Sequence, residues 1–143
     1  MIIRECEASD VKCVFELIQH ELGYSEITEN EVAERLERMN ALDDYSVLVS
    51  EIDGKICGFI SMVREISLEI NGELLRILGL AVKAEYQRKG IGAALLKKAE
   101  EIAAERKMTL ITLSSNFKRP EAHKFYESQG YLKTSYTFKK FMR

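Results

Sequence analysis

The chain has 143 residues, 46% hydrophobic and 31% charged, which fits one globular domain over 1–143 and argues against disorder or a collagen-like repeat. Its 21 basic and 23 acidic residues leave a net charge of -2, so no nucleic-acid partner is expected without a local basic patch. No apolar run approaches the roughly 18–20 residues of a membrane span, the N-terminal Met1–Glu5 lacks a signal-peptide layout, and Cys6, Cys13 and Cys57 show no metal-ligand spacing, so a cytoplasmic protein with free thiols and no metal is expected.

Ile2–Cys6 suits a first strand. Ser9 or Asp10 then caps a helix whose apolar residues Val11, Val14, Phe15, Ile18 and Leu22 recur at helical spacing, and Gly23 ends it. Thr28 and Glu31 form a capping box for a second helix with Val32, Leu36 and Met39 on one face. The period then changes. Tyr45–Ile52 and Lys55–Arg64 read as a hairpin around Asp53-Gly54. Ser67–Ile70 continues the alternation, and Asn71-Gly72 makes a second turn of the same type. Glu73–Val82 is a strand whose apolar end suggests burial on both faces. From Gly90, an apolar stripe of Ile91, Leu95, Leu96, Ala99, Ile102 and Ala103 marks a third helix. Met108–Leu113 reads as a short buried strand, Pro120 as the first turn of a fourth helix ending at Gly130, and Tyr131–Phe141 as a closing strand. The order βαα-βββ-α-β-α-β describes one α/β domain with a central mixed sheet flanked by helices.

The stretch Leu80-Ala81-Val82-Lys83-Ala84-Glu85-Tyr86-Gln87-Arg88-Lys89-Gly90-Ile91-Gly92-Ala93 carries a buried strand into a basic, glycine-containing turn that opens the third helix. A helix's first turn exposes unpaired N–H groups, and its dipole favours an anion there. Gly90 and Gly92 let an anion approach the backbone, and Arg88 and Lys89 add positive charge, which suits a phosphate. Glycines at this point also serve simply as a turn or packing device. A Walker A loop is absent, and Leu95 stands where a dinucleotide fingerprint needs a third small residue.

The pattern Gln87-x-x-Gly90-x-Gly92 resembles the acetyl-CoA pyrophosphate loop of the GNAT superfamily of N-acetyltransferases. A second stretch strengthens the likeness: Asn116 follows a short strand, then come Ala122-x-x-Phe125-Tyr126 and Gly130-Tyr131. The C-terminal third is similar to aminoalkylphosphonate N-acetyltransferases. The resemblance implies a splayed sheet and direct acetyl transfer from acetyl-CoA to a primary amine. For a chain this short, a small molecule is the expected acceptor. It also implies that the N–H groups of Arg88, Lys89, Gly90, Ile91, Gly92 and Ala93, with Gln87, hold the pyrophosphate, and that the backbone of Leu80, Ala81 and Val82 meets the pantetheine arm. Asn116 would bond that arm, or else serve as a turn residue or cap. Tyr126 would be the general acid, protonated at neutral pH with an ordinary pKa near 10, or else a packed aromatic. Many members carry a Glu where this chain has Gly79, so no base is named. Glu73 shares Gly79's face by period-2 counting but lies roughly 20 Å away; the Glu21–Glu31 region, Tyr136 or an ordered water remain open. A non-catalytic acyl-CoA-binding module is the alternative. Tyr131–Phe141, if an edge strand, offers a homodimer contact.

Overall fold

The computed structural model describes residues Met1–Met142, which divide into two compact units, Met1–Thr112 and the residues from Leu113 onward. In chain order the elements are β1 (Ile2–Glu5), α1 (Val11–His20), α2 (Glu29–Asn40), β2 (Tyr45–Ile52), β3 (Lys55–Ile66), β4 (Glu73–Val82), α3 (Ile91–Glu105), β5 (Leu110–Leu113) and α4 (Pro120–Ser128). The strands form one sheet in the order β1-β2-β3-β4-β5, with antiparallel ladders from β1 through β4. At β5 the direction changes. The Thr109 N–H donates to the Glu73 carbonyl at 2.9 Å, so β4 and β5 start side by side and run the same way, with α3 as the crossover between them. The sheet is therefore mixed, as the order of elements predicts.

Strand alternation divides the core of the first unit. Val47, Val49, Phe59 and Ala81 pack with Val11, Val14 and Leu17 of α1 and Val32 and Leu36 of α2. On the other face α3 buries Leu95, Leu96 and Ala99 almost completely. Gly58 makes that approach possible. A Cβ there would stand 2.9 Å from Ser50 Oγ, 3.0 Å from the Ala81 carbonyl and 3.2 Å from Leu95 Cδ1.

The local signals differ in how they are realised. The Thr28–Glu31 capping box forms: the Glu31 N–H donates to Thr28 Oγ1 at 3.2 Å and the Thr28 N–H to Glu31 Oε1 at 3.0 Å. Asp53 and Gly54 both take positive φ, as a type I′ hairpin turn requires. At the second turn only Gly72 does, so Asn71-Gly72 is not of the same type. Ser67–Ile70 is a turn segment rather than strand, because β3 itself runs on to Ile66 and the chain must reverse before β4. β5 starts two residues later than the apolar run suggests and is only partly buried, Leu110 being exposed. Tyr131–Phe141 forms no strand. Leu132, Tyr136, Phe138 and Phe141 are exposed, and the segment is tied within its own unit by the Thr137–Ser114 hydroxyl pair at 2.9 Å. Alternation specifies a face, but a strand exists only where a neighbour supplies a ladder.

At the start of α1, Asp10 acts backward. A 3₁₀ turn over Ala8–Asp10 precedes the helix, and the Asp10 carboxylate accepts from the Glu7 N–H at 2.8 Å rather than capping forward. It also takes two hydrogen bonds from Arg4, at 2.8 and 3.0 Å, and Arg4 reaches Glu51 of β2 at 3.1 Å. The Arg4 bonds hold the buried Asp10 carboxyl below its ordinary range, with burial opposing and the Glu7 N–H assisting. Its native pKa thus lies below the unfolded value of about 3.9, so the stabilisation is complete above that pH and is lost as pH falls through the native value. Asp10→Asn is expected to lower the unfolding free energy by about 2 kcal/mol at pH 7. Denaturant titration checks this, and the gap between the two proteins should close in acid.

Candidate functional site

The first unit holds Leu80 to Ala93. Leu80 and Ala81, neighbours at the end of β4, are both buried, so the sheet is covered on both faces there, as the apolar end of the strand predicts. The chain leaves Val82 through a 3₁₀ turn at Ala84–Tyr86, with the Lys83 N–H bonded to the Cys57 carbonyl at 2.8 Å. Gln87 closes this turn. Its amide donates to the Val82 carbonyl and to Glu21 Oε2 of the α1 end, both at 2.9 Å. The side chain is therefore committed to shaping the loop.

Beyond Gln87 the backbone takes positive φ twice, 62° at Arg88 and 82° at Gly90, which is the N-cap of α3. Residues alternating through the left-handed region can turn successive N–H groups toward one concavity that accepts an anion. No side chain caps α3, and the Ala94 N–H, bonded to the Gly90 carbonyl at 3.0 Å, makes the first regular helical bond. The N–H groups of Gly90, Ile91, Gly92 and Ala93 precede it and have no acceptor within the helix. Arg88 and Lys89 are exposed beside them, and Lys89 Nζ lies 5.7 Å from the centre of the Tyr86 ring. A Cβ on Gly90 would meet nothing within 4 Å, so glycine is required here by backbone conformation and not by packing.

Position 79 lies one turn of pleat before this loop. Gly79 pairs with Ser61 and Ile77 with Met62, so Leu78 is an extra residue that bulges from the ladder and is exposed. The bulge breaks the period-2 count. By the ladder, Glu73 lies on the face opposite Gly79, and it pairs instead with Arg64 at 3.5 Å. Glu73 is thus removed as a base on grounds of face as well as distance. In the Glu21–Glu31 region, Glu21 holds Gln87 and Glu31 holds the Thr28 cap, whose hydrogen bonds keep its carboxyl below the ordinary range. Ser61 is the side chain that sequence reasoning missed. Its Oγ stands 3.3 Å from where a Cβ on residue 79 would be, a contact set by strand register alone.

The second unit holds Asn116 and Tyr126. Asn116 Oδ1 accepts from the Lys118 N–H at 2.9 Å, so the acceptor end of the amide serves a turn. The Asn116 carbonyl meets His123 Nε2 at 2.8 Å. Tyr126 lies on α4 among aromatic rings, 5.3 Å from Phe125 and 6.2 Å from Tyr131 between centroids. Burial raises the Tyr126 phenol above its ordinary pKa, with Arg119 opposing, so the phenol is a proton carrier at neutral pH.

Comparison with known proteins supplies an independent line. Residues 43–133 match the family model described as an acetyltransferase (GNAT) domain. The aminoalkylphosphonate N-acetyltransferase of Salmonella typhimurium is 29% identical over 143 residues, covering 96% of this chain and 89% of that protein. A GNAT family acetyltransferase of Staphylococcus aureus superposes with a TM-score of 0.80 at 29% identity over 99% of this chain and 98% of that one. A transcriptional regulator from Bacillus halodurans C-125 superposes with a TM-score of 0.91 over 99% of both chains, and at 23% identity it shares the fold.

Gly90→Ala is expected to destabilise by about 1 kcal/mol through left-handed backbone strain alone, since no neighbour clashes. Denaturant titration checks the size of the loss.

Proposed function

Because the chain belongs to the GNAT acetyltransferase family and is an N-acetyltransferase, we propose that it transfers acetyl from acetyl-CoA to the primary amine of a small molecule, one acetyltransferase domain spanning 1–143. The observation that carries this reading is the uncapped first turn of α3, set behind Arg88 and Lys89 and reached through positive φ at Arg88 and Gly90. Those features fit a pyrophosphate: donors without helical acceptors, a helix dipole and two cations. Gln87 acts indirectly, holding the turn in shape through Val82 and Glu21. The backbone of Leu80, Ala81 and Val82 is assigned to the pantetheine arm. So is Asn116, through its Nδ2 donor, since its Oδ1 is engaged by Lys118. The relative acting on aminoalkylphosphonates supports a small acceptor.

Acetyl-CoA, when bound, supplies a thioester carbonyl open to attack by an amine. As the C–N bond forms and the C–S bond breaks, sulfur takes a proton, and Tyr126 Oη is assigned to give it. No carboxylate stands at position 79 and Glu73 lies on the other face of the sheet; loss of the amine proton is assigned to solvent or an ordered water.

Acetyl-CoA is expected to raise the melting temperature of the protein. Gly92→Asp should abolish that rise by placing bulk and negative charge at the α3 N-terminus. Tyr126→Phe should keep it while lowering kcat by roughly a hundredfold, measured as thiol release from acetyl-CoA. Absence of any shift at millimolar acetyl-CoA would overturn the reading. A shift without thiol release across a broad amine panel would favour a non-catalytic acyl-CoA-binding module.

A further inference from the structure

Between α1, α2 and the sheet lies a cavity of about 140 Å³. Val11 and Val14 of α1, Val32 and Leu36 of α2, and Phe59 and Ser61 of β3 all contribute to its wall. Two of these side chains also border position 79: ring carbons of Phe59 stand 3.5 Å, and Ser61 Oγ 3.3 Å, from where a Cβ on Gly79 would be. The cavity therefore shares two wall side chains with the strand position just before the proposed pantetheine contacts.

Its chemistry is that of a hydrocarbon pocket. Cys6 lines it as well, and burial pushes that thiol up to about 11, so it is neutral at physiological pH. No Asp or Glu lies among the described wall residues, and the one charged side chain is Arg35. Arg35 is half exposed and already pairs with Glu31 at 3.7 Å, so a buried ammonium would find no free carboxylate in the wall. An apolar cavity of about 150 Å³ is large enough to take a benzene-sized group.

We propose that this cavity receives the uncharged hydrocarbon or aromatic part of the acceptor, which makes apolar primary amines, arylalkyl or branched alkyl, the substrate class. The proposal rests on the acetyltransferase reading above. The amine stays at the Ser61–Gly79 end, outside the hydrocarbon wall, and polyamines with a second ammonium are excluded. Glycine at position 79 leaves that end free of a side chain; a Cβ there would press on Ser61 Oγ at 3.3 Å and touch the Phe59 ring at 3.5 Å.

The test measures thiol release from acetyl-CoA by the full chain with 2-phenylethylamine and 3-methylbutylamine against 2-aminoethanol and 2-aminoethylphosphonate. The apolar pair should show kcat/KM higher by about tenfold or more, the effect of burying one large apolar group. 2-Phenylethylamine alone should raise the melting temperature at concentrations where 2-aminoethanol does not. Val32→Met, which adds volume within the cavity, should shrink the preference for 2-phenylethylamine over 2-aminoethanol while the stabilisation by acetyl-CoA persists. If that variant does not fold, the wild-type panel decides. Equal or better use of 2-aminoethanol or 2-aminoethylphosphonate, with the acetyl-CoA shift intact, overturns the substrate class and leaves the acetyltransferase reading standing. No acetyl-CoA shift and no thiol release with any amine overturns both.

Discussion

The first unit depends on how closely α3 lies against the sheet. Leu95 and Ala99 have no exposed surface and Leu96 almost none. That fit requires Gly58, because any Cβ there would press on Leu95, Ser50 and the Ala81 carbonyl together. Close packing of this kind leaves little room for the helix to slide. The consequence is felt at its end. With the body of α3 fixed, its first turn must meet the C-terminal end of β4, and the loop between them must close a short distance. Positive φ at Arg88 and Gly90 and the Gln87 bonds to Val82 and Glu21 are how it closes. The unpaired N–H groups are thus held by core packing at a place where the strand ends.

The same arrangement explains how a chain of net charge -2 presents an anion site. Global charge governs long-range attraction, whereas a phosphate-sized ligand responds to donors and charges within a few ångströms. Arg88, Lys89 and one helix terminus suffice locally. On the opposite face of the sheet, α1 and α2 do not fill their space completely. The resulting void is lined by the side chains that would otherwise read as ordinary core. A residue such as Val14 or Val32 looks identical in sequence whether it closes a core or walls a pocket.

Much of the fold was legible from local signals. The Thr28–Glu31 box, the Asp53-Gly54 turn, Pro120 at the first turn of α4 and the α3 stripe all act over a few residues, so their outcome is nearly independent of the rest of the chain. The misses share a cause. Ser67–Ile70 and Tyr131–Phe141 have strand-like alternation, but alternation does not provide a ladder partner. Asp10 has the chemistry of a forward cap, yet Arg4 and the Glu7 N–H are nearer and stronger partners. Counting by twos put Glu73 on the face of Gly79, and one bulged residue, Leu78, reversed it. At the site, the loop and the Asn116–Tyr126 motif were readable as patterns. The uses of Gln87 and of Asn116 Oδ1 were not, because hydrogen-bond partners are assigned only when distant segments meet.

Residue order alone determined the succession of helices and strands from β1 to α4, the glycine-bearing entry to α3 and the identity of the groups available for chemistry. Each rests on backbone preference or periodicity within a short window. Tertiary structure decided which carboxylates are already engaged, which face Glu73 occupies, and that Ser61 rather than an acid stands beside Gly79. It also decided that an apolar cavity adjoins that position. These depend on register and on packing between segments far apart in the chain, where a shift of one residue or a few tenths of an ångström changes the neighbour, and no local pattern encodes such a distance.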